Sequence, residues 1–126
     1  MRLLIDSHVA LWWLTAEPSL GPACIEQLQS ADQVFFSAVT PWELGIKRSI
    51  GKLSFPEGLL TELEASGFVE LPISASHAEH APALPHHHRD PFDRMLVAQA
   101  QLESLTLVTA DRLLHPYDID ILNARA

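Results

Sequence analysis

Short continuous apolar runs alternate along the chain with longer stretches whose apolar positions recur every three or four residues, a pattern that predicts strands separated by helices. Leu3, Leu4 and Ile5 stand side by side rather than at every second position, as in a strand covered on both faces. That strand spans residues 2–6 and ends in Asp6. Ser7 is expected to cap a helix carrying Val9, Leu11, Trp12, Trp13 and Leu14, which Glu17 and Pro18 break; a second helix covers residues 21–30. Residues 34–37 read as the next strand. After it, Thr40, Pro41, Trp42 and Glu43 match a T-x-x-E capping box, so Glu43 has a purely structural explanation at hand.

Residues 55–66 suggest a helix opened by Pro56, residues 68–71 a strand, and residues 73–84 a short helix capped by Ser74 or Ser76 and stopped by Pro82 and Pro85. The run His86, His87, His88 reads as a solvated loop rather than a metal site, because neighbours in sequence point in different directions. Asp90 then reads as an N-cap, Pro91 as the first helical residue and Asp93 as the third, where a carboxylate meets unpaired backbone N–H groups. Phe92, Met95, Leu96, Ala98, Ala100 and Leu102 would turn that helix toward a core. Residues 106–109 form a buried strand ended by Ala110 and Asp111, residues 112–115 a helical turn, and residues 118–124 a short final strand.

Strands and helices alternating at this spacing argue for an α/β domain with a mostly parallel central sheet flanked by helices. A length of 126 residues suits one core, so a single domain over residues 1–126 is expected. Eight Lys and Arg against sixteen Asp and Glu give a formal net charge of −8, the wrong sign for holding nucleic acid by bulk attraction to phosphate. Any such chemistry must be local, through bound cations or a few placed basic residues. Cys24 is the one cysteine, and its apolar neighbours Ala23 and Ile25 point to packing rather than thiol chemistry. No apolar run approaches a membrane span, and the expectation is a cytoplasmic protein. Trp12 and Trp13 suit a core or an interface better than a base-stacking platform.

In a parallel α/β sheet the ligand crevice lies beyond the carboxyl ends of the strands. Asp6 and Asp111 end strands, Glu43 lies on the helix after the second strand, and Asp93 opens the helix that leads to the strand of Asp111. Each acid alone is more often a cap than a catalyst. Together at one sheet end they would repel, and desolvation would raise their pKa values unless a cation neutralised them. Mg²⁺ or Mn²⁺ would suit carboxylate oxygens, and no Cys or His set is spaced for zinc.

The segments LLIDSHVALWW, SAVTPWELGIK, RDPFDRMLVAQA and LVTAD occur in the order in which they occur in PIN-domain proteins, and the chain most resembles the VapC-type ribonuclease toxins of bacterial toxin-antitoxin pairs. The resemblance covers essentially the whole chain. It implies a PIN-like fold in which Asp6, Glu43, Asp93 and Asp111 are catalytic and hold one or two Mg²⁺ or Mn²⁺ ions. Asp93 takes the third place because it directly precedes the apolar segment ending in Ala98, Gln99 and Ala100, while Asp90 is left as a water-mediated ligand. Ser7 stands where many relatives carry threonine, and Ser37 and Thr109 fit positions where a hydroxyl lies near the acids. Arg94 or Lys47 is a candidate holder of substrate phosphate, against a surface role for each. The implied reaction is endonucleolytic hydrolysis of RNA by metal-activated water. The implied partners are an RNA substrate, a second copy of the chain and a cognate antitoxin whose basic tail enters the acidic pocket.

Two other readings stay open on the residues alone. A catalytically silent PIN-like module would bind only a partner protein. A receiver-like signalling domain shares the length and layout, but Asp6 is followed by Ser7 where an acidic pair is needed, and no lysine follows Lys52.

Overall fold

The computed structural model describes residues 1–126. Five strands, β1 (Arg2–Ile5), β2 (Gln33–Ser37), β3 (Val69–Leu71), β4 (Thr106–Thr109) and β5 (Ile121–Asn123), form one sheet in the order β3-β2-β1-β4-β5. Every neighbouring pair is parallel, with Ile5 beside Phe36 on one side and Val108 on the other. Parallel pairing demands crossovers, and helices supply them: α1 (Ser7–Thr15), α2 (Pro22–Ser30), α3 (Val39–Ser49), α4 (Leu59–Ala65), α5 (Ala75–Ala83) and α6 (Pro91–Glu103).

The unbroken apolar runs are explained by two cores. Leu3, Ile5, Val34, Phe36 and Val108 face a layer that includes Val9, Cys24 and Leu63 from α1, α2 and α4. Leu4, Phe35 and Leu107 face the opposite layer with Leu96, Val97 and Ala100 of α6 and Ala81 of α5. Successive strand residues therefore enter different cores, and neither face can be polar. Burial pushes the Cys24 thiol up to about 11, so it stays protonated and packs as a small apolar group. No helix is long and apolar enough to cross a membrane.

The strand order places the first chain reversal between β1 and β4. Connections leave these two adjacent strands toward opposite sides of the sheet, which opens a crevice at their carboxyl ends. A helix running back toward β4 must start at that same edge. Asp6, Asp111 and the first turn of α6 consequently meet there.

Several local expectations need correction. Residues 55–58 precede α4, which starts at Leu59 behind Gly58 (φ 86°), so Pro56 does not open it. Pro82 lies inside α5 rather than stopping it: it forfeits its own bond to the Ala78 carbonyl, yet the helix runs one residue further, to Ala83, before Leu84 and Pro85 end it. Leu102 is 45% exposed: the buried face of α6 runs through Leu96, Val97 and Ala100 and has turned away by the last turn. The tail returns to α2, where Gly21 donates to the Ala124 carbonyl at 2.9 Å and Cys24 to that of Ala126 at 3.1 Å. A Cβ at Gly21 would stand 1.9 Å from the Ala126 oxygen, so only glycine admits this approach. The tail is thereby held beside α1.

Candidate metal centre

Asp6 follows three strand residues that are wholly buried, and it is drawn to 4% exposure with them. It, and not Ser7, is the N-cap of α1: its Oδ1 accepts from the Val9 N–H at 2.8 Å. Its Oδ2 accepts from the Thr109 hydroxyl at 2.6 Å. Burial outweighs both bonds and, with Glu43 nearby, raises the Asp6 pKa from the ordinary carboxylate value.

Ser7, relieved of capping, turns inward and donates to Glu43 Oε1 at 2.6 Å, with the Thr40 hydroxyl 3.2 Å away. The T-x-x-E capping box is not formed. The helix starts earlier, at Val39 behind Ala38, and Ala38 has no side-chain cap bond, so Glu43 lies in the interior of α3. Only 3% exposed, Glu43 also accepts from Lys47 Nζ at 2.7 Å. Lys47 is thus a buried acid's partner rather than a solvated charge, and that contact raises its pKa. Ser37 is wholly buried, and its hydroxyl accepts from the Val39 N–H at 3.1 Å.

Asp90 caps α6 as expected, Oδ1 accepting from Phe92 and Asp93 at 2.8 and 3.3 Å, with Pro91 in the first turn. Asp93 is mostly buried at the helix start. Its pKa is pushed up to about 7 by burial first and then by the charges of Asp90, Glu43 and Asp6, with His88 opposing. Asp111 caps the following 3₁₀ turn (Arg112–Leu114) through Leu113, and its own N–H donates to Thr109 Oγ1 at 3.0 Å.

Asp6, Asp93 and Asp111 line one cleft of about 240 Å³, together with His8, Trp12, Ala110 and Arg125. Glu43 stands behind them, close enough for its charge to act on both Asp6 and Asp93. The donors are carboxylate oxygens, and Asp93 and Asp6 carry a cost of ionisation that a nearby cation would relieve. Both features fit a hard divalent ion.

Two expectations about basic residues fail. Arg94 is 7% exposed, and its guanidinium donates to the carbonyls of Ala81, Pro82, Leu84, Pro85 and His88 and to the Tyr117 hydroxyl. It staples the loop before α6, with both terminal guanidinium nitrogens committed to acceptors of the protein rather than to phosphate. The histidine run is not merely solvated: His88 is 12% exposed, and its Nε2 lies 3.1 Å from Asp93 Oδ2 and 2.9 Å from Asp111 Oδ2. The ligand atoms of these three residues lie within 4.8 Å of one another. His88 and Arg125 were missed. Three like residues in a row do not reveal which one turns inward, and Arg125 reaches the cleft only because the tail folds back onto Gly21.

The chain is 32% identical to ribonuclease VapC22 of Mycobacterium tuberculosis, over 94% of this chain and 97% of the relative. VapBC2 of Rickettsia felis, solved bound to a DNA fragment from its promoter, superposes with a TM-score of 0.72 at 17% identity over 98% of each chain. A toxin-antitoxin complex from Klebsiella pneumoniae gives 0.69 at 20% identity over 97% of each. The sequence profile of the PIN domain matches residues 3–119, and with the 32% identical relative it shows that the chain belongs to the PIN-domain family.

Proposed function

We propose that this chain is an endoribonuclease of the VapC toxin type, with Asp6, Glu43, Asp93 and Asp111 holding Mg²⁺ or Mn²⁺. The observation that carries the reading is the meeting of Asp6, Asp93 and Asp111, from distant parts of the chain, in one cleft at the reversal point of the sheet, with Glu43 behind. The family of the chain and a ribonuclease relative of nearly the same length support it.

Asp6, Glu43, Asp93 and Asp111 would hold the divalent ion, which when bound would supply Lewis acidity for activating water and steadying charge on the phosphoryl oxygens. The chain's own residues prepare for that. Thr109 orients Asp6; Ser7 and Lys47 hold Glu43; Asp90 fixes the helix turn that carries Asp93. Asp90 lies close enough to raise the Asp93 pKa and keeps its proposed place as a water-mediated ligand. Arg125 is the arginine that lines the cleft itself and is placed to meet substrate phosphate. It lies over the Trp12 ring, 5.2 Å from the centroid, on the wall of the cleft, and takes part in none of the chain's ion pairs. The solved relatives include toxin-antitoxin complexes, which supports an antitoxin partner; that its basic segment enters the acidic cleft, and that the chain forms a homodimer, are parts of the same proposal.

Metal-dependent cleavage of single-stranded RNA tests the reading. Asp6→Asn, Glu43→Gln, Asp93→Asn and Asp111→Asn should each abolish cleavage and the growth inhibition that accompanies expression, with circular dichroism unchanged. Asp90→Asn should do less, because asparagine still caps a helix. A parallel Mn²⁺ titration should raise the melting temperature of the parent and not of Asp6→Asn. If Glu43→Gln cut RNA as fast as the parent, its catalytic role would be lost.

A further inference from the structure

The ring of His88 sits between two of the acids and is held there from its other side. The Asp90 N–H donates to His88 Nδ1 at 3.1 Å, so Nδ1 presents a lone pair and the ring proton belongs to Nε2. That proton is directed at Asp111 Oδ2, 2.9 Å away, while Asp93 Oδ2 stands 3.1 Å from the same nitrogen as a charge neighbour. The backbone carrying the ring is also pinned: the His88 N–H donates to the Tyr117 hydroxyl at 3.0 Å, and its carbonyl accepts from Arg94 at 3.2 Å. None of these restraints involves the two carboxylates, so the ring is placed independently of them.

We infer that His88 is a positioning residue whose Nε2–H donates to Asp111 and, lying 3.1 Å from Asp93 Oδ2, draws that acid to the same edge of the ring, a bridge that holds the two as a pair facing one divalent ion. This rests on the metal-site reading above. As a direct ligand, Nε2 would have to offer a lone pair, which would move the proton to Nδ1 and set it against the Asp90 N–H at the cap of α6. As a bridging donor it needs no such change. A carboxylate oxygen has two lone-pair directions, so a bond to His88 leaves one free toward the cleft. Outer hydrogen bonds of this kind fix ligand orientation and raise metal affinity. Without the bridge, like charge drives the two side chains apart, and an incoming ion must gather them first.

Calorimetric titration with Mn²⁺, and separately with Zn²⁺, of the parent, His88→Ala and His88→Gln tests the inference without recourse to activity. Glutamine is chosen because its amide N–H reaches the place of the imidazole Nε2–H. Alanine should weaken Mn²⁺ binding by roughly 10-fold or more, glutamine should restore most of it, and the preference between Mn²⁺ and Zn²⁺ should not move. Tighter Mn²⁺ binding by His88→Ala would make the ring a competitor of the ion and overturn the inference, as would unchanged affinity. A selective loss of Zn²⁺ binding that glutamine fails to rescue would make His88 a ligand and overturn it too. Should the alanine variant not fold, the glutamine variant decides: near-parental affinity supports the bridge and a tenfold loss removes it. A parent that binds no Mn²⁺ brings down the metal-site reading and this inference with it. A parent that binds, with no effect of His88, removes this inference alone.

Discussion

The hydroxyl of Thr109 donates to Asp6 Oδ2 at 2.6 Å and accepts from the Asp111 N–H at 3.0 Å, so one side chain on β4 links the acids that end two neighbouring strands. Thr109 is wholly buried, out of contact with bulk solvent. Thr109→Val keeps the shape and removes both bonds. Asp6, already raised by burial, then rises further, and the ionised form needed for a cation becomes harder to reach. We expect a stability loss of about 1.5–3 kcal/mol from the bond to a charged acceptor, together with weaker Mn²⁺ binding near neutral pH. Thr109→Ser, which retains the hydroxyl, should recover both. Denaturant midpoints and Mn²⁺ titrations read the two effects separately. Parental metal affinity in the valine variant would show that Asp6 needs no such partner.

The raised pKa of Asp93 sets a pH dependence whose sign follows from linkage. Unfolded, the carboxyl titrates near 3.8, whereas in the fold it titrates at about 7. Between these values the folded chain retains a proton that the unfolded chain has released. The Asp93 contribution to stability is therefore full below pH 4 and is lost as pH rises through 7, an effect of at most a few kcal/mol, on the order of 3–4. Asp6 is raised as well and acts with the same sign. In chelator, denaturation midpoints should fall from pH 5 to pH 8, Asp93→Asn should flatten much of the fall, and added Mn²⁺ should remove it. A parent curve equally flat with and without chelator would mean that the acids do not oppose one another.

The elements that were legible are those whose signal is local or periodic. The buried strands announce themselves as unbroken apolar runs because each face of the sheet has its own core, and the Asp90 cap with Pro91 behind it is a local device. The errors lie where a local motif competes with a distant contact. Asp6 and Ser7 both have cap chemistry, and only the end of β1 decides that Asp6 takes the cap while Ser7 reaches Glu43, 36 residues on. T-x-x-E spells a capping box, yet Thr40 and Glu43 face Ser7 across two helices. Arg94 did carry a legible sign: it lies three and four residues before Val97 and Ala98, on the buried face of α6. What its charge meets there, a ring of carbonyls closed by the α5–α6 loop and Tyr117, is written in no local pattern.

Arg94→Ala should be among the most destabilising substitutions outside the apolar core. It would leave the carbonyls of Pro82 and Leu84 without their donor, take one of two donors from those of Ala81 and Pro85, and free the loop that carries His88. A loss of roughly 3 kcal/mol is expected from breaking a buried network of this kind. Arg94→Lys should recover only part of it, since an ammonium cannot reproduce the planar fork. Thermal unfolding checks the order parent, lysine, alanine. If instead the alanine variant melted like the parent and lost RNA binding alone, Arg94 would belong to the substrate site after all.

Arg125 carries the remaining expectation about substrate. A chain of net charge −8 must attract a polyanion through particular groups, yet Arg94 is spent on carbonyls and Lys47 on Glu43. Arg125 alone lines the acidic cleft with its guanidinium outside every ion pair. In an Asp6→Asn background that prevents cleavage, Arg125→Ala should weaken binding of single-stranded RNA by roughly 10-fold and lower the slope of log K against log salt by about 1, uniformly across sequences. Arg125→Lys should keep the salt slope and lose part of the affinity, because the charge survives while stacking on Trp12 does not. Equal affinity of parent and alanine variant at every salt concentration would mean that RNA reaches the acids by a path that avoids the tail. A loss confined to particular base sequences would instead assign Arg125 to base recognition, since a phosphate contact weakens all sequences alike.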